Sequence, residues 1–410
     1  MARTGNSSRL VPLAALVFVI PVLLFGQDPD ARLRLPLGDP RYRDRTVEVV
    51  AGQIVSMESG KPVPFETMIA DLRPVPFVLV GELHGVLGTH EVQDRVVRAL
   101  FEQDGRLAVG LEMLAAARQE ALTRWGLGLR SEEEFLRESR WYTSWGFHFG
   151  YYRPVFAFAK EHRIPLYALD TPRVVEAQFR MSEGKVLPPE KAAAAPKIDP
   201  SEEDERLFWR TTLESSEMTP TIKAAVLERM FEEIYRAQAS RDADQAARAV
   251  RARQQEGRQV VILVGCGHAM YGLGLGRRIG ELSGLAAKSV VPVNIPRGRS
   301  SISVSRALAD YIVGIPAEDR PAYPDIELSF KTVPDPSKLV IAAKPTRGAA
   351  RGLDLEENDL VLSVDGRTFS DAEDLLVYLA GVPWGGEARF RLLRNGVERT
   401  VLMKIEIRRH

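Results

Sequence analysis

Two apolar runs of this chain end in the same way. Phe77-Val78-Leu79-Val80 leads into Gly81-Glu82-Leu83-His84, and Val260-Val261-Ile262-Leu263-Val264 leads into Gly265-Cys266-Gly267-His268. Short apolar runs closed by glycine read as strands buried in a sheet. In each, a histidine stands three residues beyond a glycine, just past the strand's carboxyl end. Ligands of open α/β sheets gather in the crevice beyond those ends. The two histidines are therefore expected at one site built from distant parts of the chain.

Leu107–Leu111, Pro165–Leu169 and Val290–Ile295 repeat the strand signal, and helical patterns lie between them. One is Thr89–Gln103, with Val92, Val96, Val97, Leu100 and Phe101 on one face. Strands alternating with helices imply an α/β fold with a mainly parallel central sheet and helices on both faces. Residues 112–160 and 200–255 read as mostly helical insertions. The first carries a dense aromatic cluster that includes Trp125, Trp141, Tyr142, Trp145, Phe147, Tyr151 and Tyr152. Prolines, alanines and acidic residues mark 183–204 as a mobile loop. A length of 410 residues leaves room for a second unit. We divide the chain into an N-terminal signal or anchor (1–26), a linker (27–47), an α/β domain (48–315), a proline-bearing linker (316–337) and a small β-rich domain (338–410) with one helix near Asp371–Leu379.

Arg3 and Arg9 precede an apolar run from Leu10 to Phe25, too short for a typical membrane span and suited to a secretory signal. Leu24-Phe25-Gly26 is a poor cleavage site, so an uncleaved membrane tether is the alternative. Export places the protein in the periplasm or on its membrane. No cysteine follows the run, which excludes a cysteine-anchored lipoprotein, and the single Cys266 excludes an intrachain disulfide. Lys plus Arg and Asp plus Glu both number 55, so charge gives no reason to expect a nucleic-acid partner.

The strand ends supply Glu82 and His84, then Glu112, then Asp170 and Arg173, then His268. Imidazoles and carboxylates so placed can bind a divalent metal, through His84, His268 and Glu112, or supply acid and base, through Glu82, His84, Glu112 and His268. His90, Asp170 and Arg173 are candidate supporting residues. Each group also has a structural explanation: Glu82 and Asp170 as helix caps, Glu112 at a helix N-terminus, Asp170 with Arg173 as an ion pair. Tyr152, Tyr271 and His148, with His84 and His268, are candidates to ligate or flank a flat cofactor, since haem iron accepts histidine or tyrosine. Aromatic spacing of this kind more often marks plain core. The run Gly272-Leu273-Gly274-Leu275-Gly276 is a weak phosphate signal, because it does not follow a strand directly.

These elements, in this order, resemble the ChaN family of haem-binding proteins, within the wider group that holds the TIKI proteases and erythromycin esterase-like enzymes. The resemblance rests on the two Gly-x-x-His segments, His90 and Gln93, Gly110-Leu111-Glu112-Met113, Trp145 through Pro154, Leu169 to Arg173, and the helix Gln238–Ala247. It implies an α/β core with a helical subdomain, haem held by tyrosine and histidine, a role in haem or iron uptake, and a site shared in some members between two protomers of a homodimer. The TIKI-like relatives imply the alternative, a metal-dependent hydrolase using His84, His268 and Glu112. Asp242 lies in that helix, where Gln245-Ala246 replaces the expected Met-Ala step. The C-terminal unit resembles a PDZ domain through Gly348–Leu353 and Asp359–Gly366, which implies docking of a peptide or protein partner. A glycine-free 334–338 stands where the carboxylate-binding loop is expected.

Overall fold

The computed structural model describes residues 30–170, 203–215, 224–333 and 338–406. The N-terminal apolar run, Arg173, nearly all of the 183–204 loop and 334–337 of the expected carboxylate loop lie outside the described residues. No helix among the described residues is long and apolar enough to cross a membrane.

The main body runs β1 (Thr46–Val50), β2 (Ile54–Ser56), β3 (Lys61–Pro62), α1 (Phe65–Leu72), β4 (Phe77–Glu82), α2 (Leu87–Asp104) and β5 (Leu107–Ala115). Then come α3 (Gln119–Gly126), α4 (Glu132–Ser139), α5 (Trp141–Ser144), α6 (Arg153–Glu161), β6 (Leu166–Asp170), α7 (Glu203–Glu214) and α8 (Ala224–Glu256). It closes with β7 (Gln259–Gly265), α9 (Cys266–Ala269), α10 (Leu275–Ser283), β8 (Ala287–Ile295), β9 (Ser301–Ser305) and β10 (Tyr311–Pro316).

One sheet has the order β3-β2-β10-β8-β4-β7-β5-β6, and β10 through β6 in that order are all parallel. The five strands expected from sequence are all present. β10 adds a sixth parallel strand, whose run ends at the proline taken as the start of a linker. Strand parity sets the two faces. Val78, Val80, Val109, Leu111, Val261 and Leu263 enter one apolar core with α1, α2 and the aromatic insertion. Phe77, Leu79, Val260, Ile262 and Val264 enter another with α7, α8 and α10. The aromatic insertion is largely core: Phe135, Trp141, Phe149 and Phe156 are fully buried. Its helix α4 starts with a capping box between Ser131 and Glu134.

Among the described residues, β6 has no neighbouring strand on its outer edge. Gln119 covers it, donating to the Leu166 carbonyl at 2.9 Å and accepting from the Ala168 N–H at 2.8 Å. A side-chain amide thus takes the place of another strand's peptide and blunts edge pairing.

Two stretches expected as linkers are packed against the body. Leu33 and Leu37 are buried, and Tyr271 ties down this stretch by donating to the Arg32 carbonyl at 2.7 Å and accepting from Leu35 N–H at 3.0 Å. Alternating leucines in a charged, proline-bearing stretch concealed this apolar strap. Further on, the Tyr323 ring stacks on His148 at 4.4 Å. β11 (Phe330–Val333) is an edge strand of the C-terminal sheet rather than connector. That antiparallel sheet has the order β11-β12-β13-β14-β15, with β12 (Lys338–Ile341), β13 (Leu360–Val364), β14 (Glu387–Arg394) and β15 (Val397–Lys404). Helix α11 (Ala372–Ala380) packs Leu375 and Leu379 into its core beside Phe390 and Leu392.

Candidate functional site

The carboxyl ends of β4, β5 and β7 meet at one place. Register pairs Glu82 with Gly265 across β4 and β7. Glu82 keeps the phase of Val78 and Val80 and points toward α2 and the aromatic insertion. Glu112 is out of phase with Val109 and Leu111 and points to the opposite face, toward α8. The crevice therefore draws on both layers of helices. The strand ends pack closely because Gly81 lacks a side chain: a Cβ there would stand 2.9 Å from Cys266 Sγ.

Glu82 is the hub of the first half and is 1% exposed. It accepts from His84 Nδ1 at 2.6 Å, from the Tyr152 hydroxyl at 2.8 Å and from Gln93 Nε2 at 3.0 Å. Trp145 Nε1 donates to the Tyr152 hydroxyl at 2.8 Å. A carboxylate only accepts, so His84 carries its proton on Nδ1 and leaves Nε2 uncommitted. The His84 ring lies against Trp145 at 4.9 Å and Phe147 at 4.8 Å, and its side chain is 31% exposed. His90 is buried and its Nε2 meets the His84 carbonyl at 3.0 Å. Burial pushes the His90 imidazole down from its ordinary value, so it is a neutral support for the His84 backbone.

The second half is an ion network under α8. Glu112 accepts from Arg241 Nη2 at 2.8 Å and from the Gly265 N–H at 2.5 Å, and His268 Nε2 stands 3.4 Å from it. His268 Nδ1 meets Asp242 Oδ1 at 2.6 Å, and Arg241 Nε reaches Asp170 Oδ1 at 3.0 Å. Burial opposes ionisation of Glu112, but the His268 and Arg241 charges and the Gly265 N–H outweigh it and hold the carboxyl at about 2. Burial also opposes charge on His268, yet the carboxylates of Asp242 and Glu112 raise its pKa above the ordinary value. An imidazolium, a guanidinium and carboxylates thus neutralise one another in the interior.

This geometry corrects several expectations. Among the described residues, no group of three or more His, Cys, Asp or Glu is disposed to hold a metal ion, and His84, His268 and Glu112 are not brought together as one. Arg241 already supplies the cation that Glu112 needs, and a carboxyl held at about 2 is a poor general base at neutral pH. The Tyr152 hydroxyl is committed to Glu82 and Trp145, and burial with the adjacent Glu82 raises its pKa well above the ordinary phenol value. Tyr271 spends its hydroxyl on the N-terminal strap. His148 spends both ring nitrogens, Nδ1 on the Gly150 N–H and Nε2 on the Ala380 carbonyl, and faces the C-terminal unit. Cys266 is buried and burial raises its thiol to about 12, so it is inert. Gly274 packs against Asp242, so the glycine run supports the network rather than presenting itself to a phosphate.

Arg241 and Gln245 are site residues that sequence reasoning missed. Both are buried on a helix with many charged residues, and the signal was the spacing of Gln238, Arg241, Asp242 and Gln245 on one face. A cavity of about 500 Å³ lies elsewhere, at the β6 edge, and its lining, from β6, α3 and the far end of α8, includes none of these network residues.

Gly265 separates the two halves. A Cβ there would stand 3.1 Å from His84 Cε1, 3.3 Å from His84 Nε2 and 3.4 Å from Glu112 Oε2. Gly265→Ala is expected to cost about 1–3 kcal/mol of stability from overpacking and to displace the His84 ring. The His84 Cε1 proton resonance reads this out; an unchanged resonance would show room that the geometry denies.

A family model described as haem-binding uptake, Tiki superfamily, ChaN matches residues 68–279, just over half of the chain. Among solved structures, ChaN of Campylobacter jejuni, described with cofacial heme binding, aligns with a TM-score of 0.51 and 16% identity. The alignment covers 63% of this chain and 95% of that one. An erythromycin esterase mutant in its open conformation aligns at a TM-score of 0.36 and 13% identity, over 62% of this chain and 82% of that one. No curated protein matches. The Campylobacter likeness shows a shared fold, and the extent of the family match decides the rest: this chain belongs to the ChaN family of the Tiki superfamily.

Proposed function

We propose that the protein binds haem at this crevice, with His84 as the iron ligand and Glu82 as the carboxylate that orients it. One observation carries this. Of the ligands considered, His84 alone combines a partly exposed side chain with a ring nitrogen that no neighbour has claimed. Histidine ligands of metals characteristically donate their other nitrogen to a carboxylate, which fixes the tautomer and raises ligand basicity. Bound haem supplies an iron centre whose reactivity follows from axial ligand and surroundings. Trp145 and Phe147 flank the imidazole and offer apolar surface to a flat ring. Family membership and the Campylobacter relative support the same ligand. We read the N-terminal run as an export signal or tether, consistent with uptake outside the cytoplasm. We read the C-terminal unit as a PDZ-like module in which a peptide adds to the free edge of β11. Haem titration of the purified protein is expected to give a saturable Soret band, with affinity at least tenfold lower in His84→Ala. Equal affinity in that variant overturns the assignment.

A second reading, hydrolysis without a metal, is favoured by the approach of His84 and Glu112 to one another at Gly265. His84 and the charged His268–Glu112 pair flank that point from two sides. His84 Nε2 would take the proton of a water as its oxygen attacks a carbonyl carbon, and would return it to the departing alcohol or amine as the acyl bond breaks, while the His268 side favours the developing negative charge. Ester or peptide turnover lost in His268→Gln, with haem affinity unchanged, would establish this reading.

A further inference from the structure

The contacts of α11 converge on the segment that walls the His84 crevice. At its start, Asp371 accepts from the N–H groups of Glu373 at 2.8 Å and Asp374 at 3.4 Å, and also from Arg140 Nη1 at 2.6 Å. Glu373 reaches the other way. Its side chain accepts from the N–H groups of Tyr142 and Thr143, each at 2.8 Å, and from the Thr143 hydroxyl at 2.7 Å. Arg140 precedes α5 in a left-handed conformation and gives that helix no side-chain cap. A residue of the C-terminal unit therefore does the capping that α5 lacks, and it is fully buried in doing so. At the far end of α11, the Ala380 carbonyl accepts from His148 Nε2 at 3.0 Å. Between them Val377 packs on the main core.

One helix of the C-terminal unit thus grips residues 142–148 at both ends. That segment carries Trp145 and Phe147, whose rings touch His84, and Trp145 continues through Tyr152 and Glu82 to His84 Nδ1. We infer that Glu373 is a positioning residue of the His84 site, fixing α5 and through it the aromatic wall over the imidazole. The inference rests on reading the His84 crevice as the ligand site.

The test uses the full chain. Site-resolved modification of His84 by diethylpyrocarbonate reports its exposure without any ligand. Glu373→Gln keeps the side chain's size but places donors against the α5 N–H groups. It is expected to speed His84 modification about tenfold, the equivalent of one or two unsatisfied hydrogen bonds. Asp374→Ala removes an exposed pair with Arg137 at the same interface and is expected to leave the rate unchanged. Should Glu373→Gln fail to fold, His148→Ala releases the segment from its other end and is expected to act in the same direction. A folded variant of either kind with the wild-type His84 rate overturns the inference. Faster His84 modification with unaltered haem affinity would uphold it and count against haem at this crevice.

Discussion

Arg241→Met is expected to destabilise the main body by about 3–5 kcal/mol, the cost of removing one partner from a buried ion network. Methionine fills much of the arginine's volume, so the loss comes from charge rather than a cavity. Without Arg241, the Glu112 carboxylate keeps His268 and the Gly265 N–H, and Asp170 loses the guanidinium that bridged it to Glu112. Urea unfolding followed by circular dichroism measures the change. A loss below about 1 kcal/mol would mean that solvent reaches the network, against its observed burial. The same network sets a pH dependence. Glu112 is depressed, so its contribution is complete above its unfolded value of about 4.3 and is lost as pH falls toward the folded value. His268 is raised, so its contribution is complete below about 6.5 and is lost as pH rises through its folded value. Stability from this cluster is expected to peak between those limits; in Arg241→Met the acid limb shrinks, because Glu112 loses a cation, while the alkaline limb does not, because Arg241 opposes charge on His268.

Glu82→Gln is expected to weaken haem binding about 10–100-fold, the usual cost of removing the partner that orients a metal-ligating histidine. The substitution is nearly isosteric, but it replaces one accepting oxygen with a donor among three donors, from His84, Tyr152 and Gln93. His84 then loses both its fixed tautomer and the negative charge that strengthens Nε2 as a ligand. Titration followed at the Soret band, with the melting temperature of the same sample, separates affinity from folding. Wild-type affinity in a folded Glu82→Gln protein would remove His84 from consideration as the iron ligand.

Glu82, His84, Glu112 and His268 were legible because strand ends are legible. Apolar runs closed by glycine place whatever follows them at the sheet's carboxyl ridge. Arg241, Asp242 and Gln245 were harder to read, because they project from the middle of a long helix where charged residues ordinarily face water. Only the packing of α8 over β5 and β7 makes them interior. The aromatic insertion misled in the opposite sense. Tyr152, Tyr271 and His148 have the right chemistry for haem, and chemistry alone could not show that their polar atoms were already spent on Glu82, on the N-terminal strap and on α11.

Local pattern was enough for the α/β class, the five strand positions first identified and the convergence of both Gly-x-x-His segments on the sheet's carboxyl ridge, because strand patterning is local and alternates with a period of two. Tertiary structure decided which groups are charged, which are committed and which stays available. Those properties depend on neighbours far apart in the chain: Gly265 lies beside Glu112, Arg241 beside Asp170, and Glu373 beneath α5. A pKa or a free lone pair belongs to such an environment and not to a residue type.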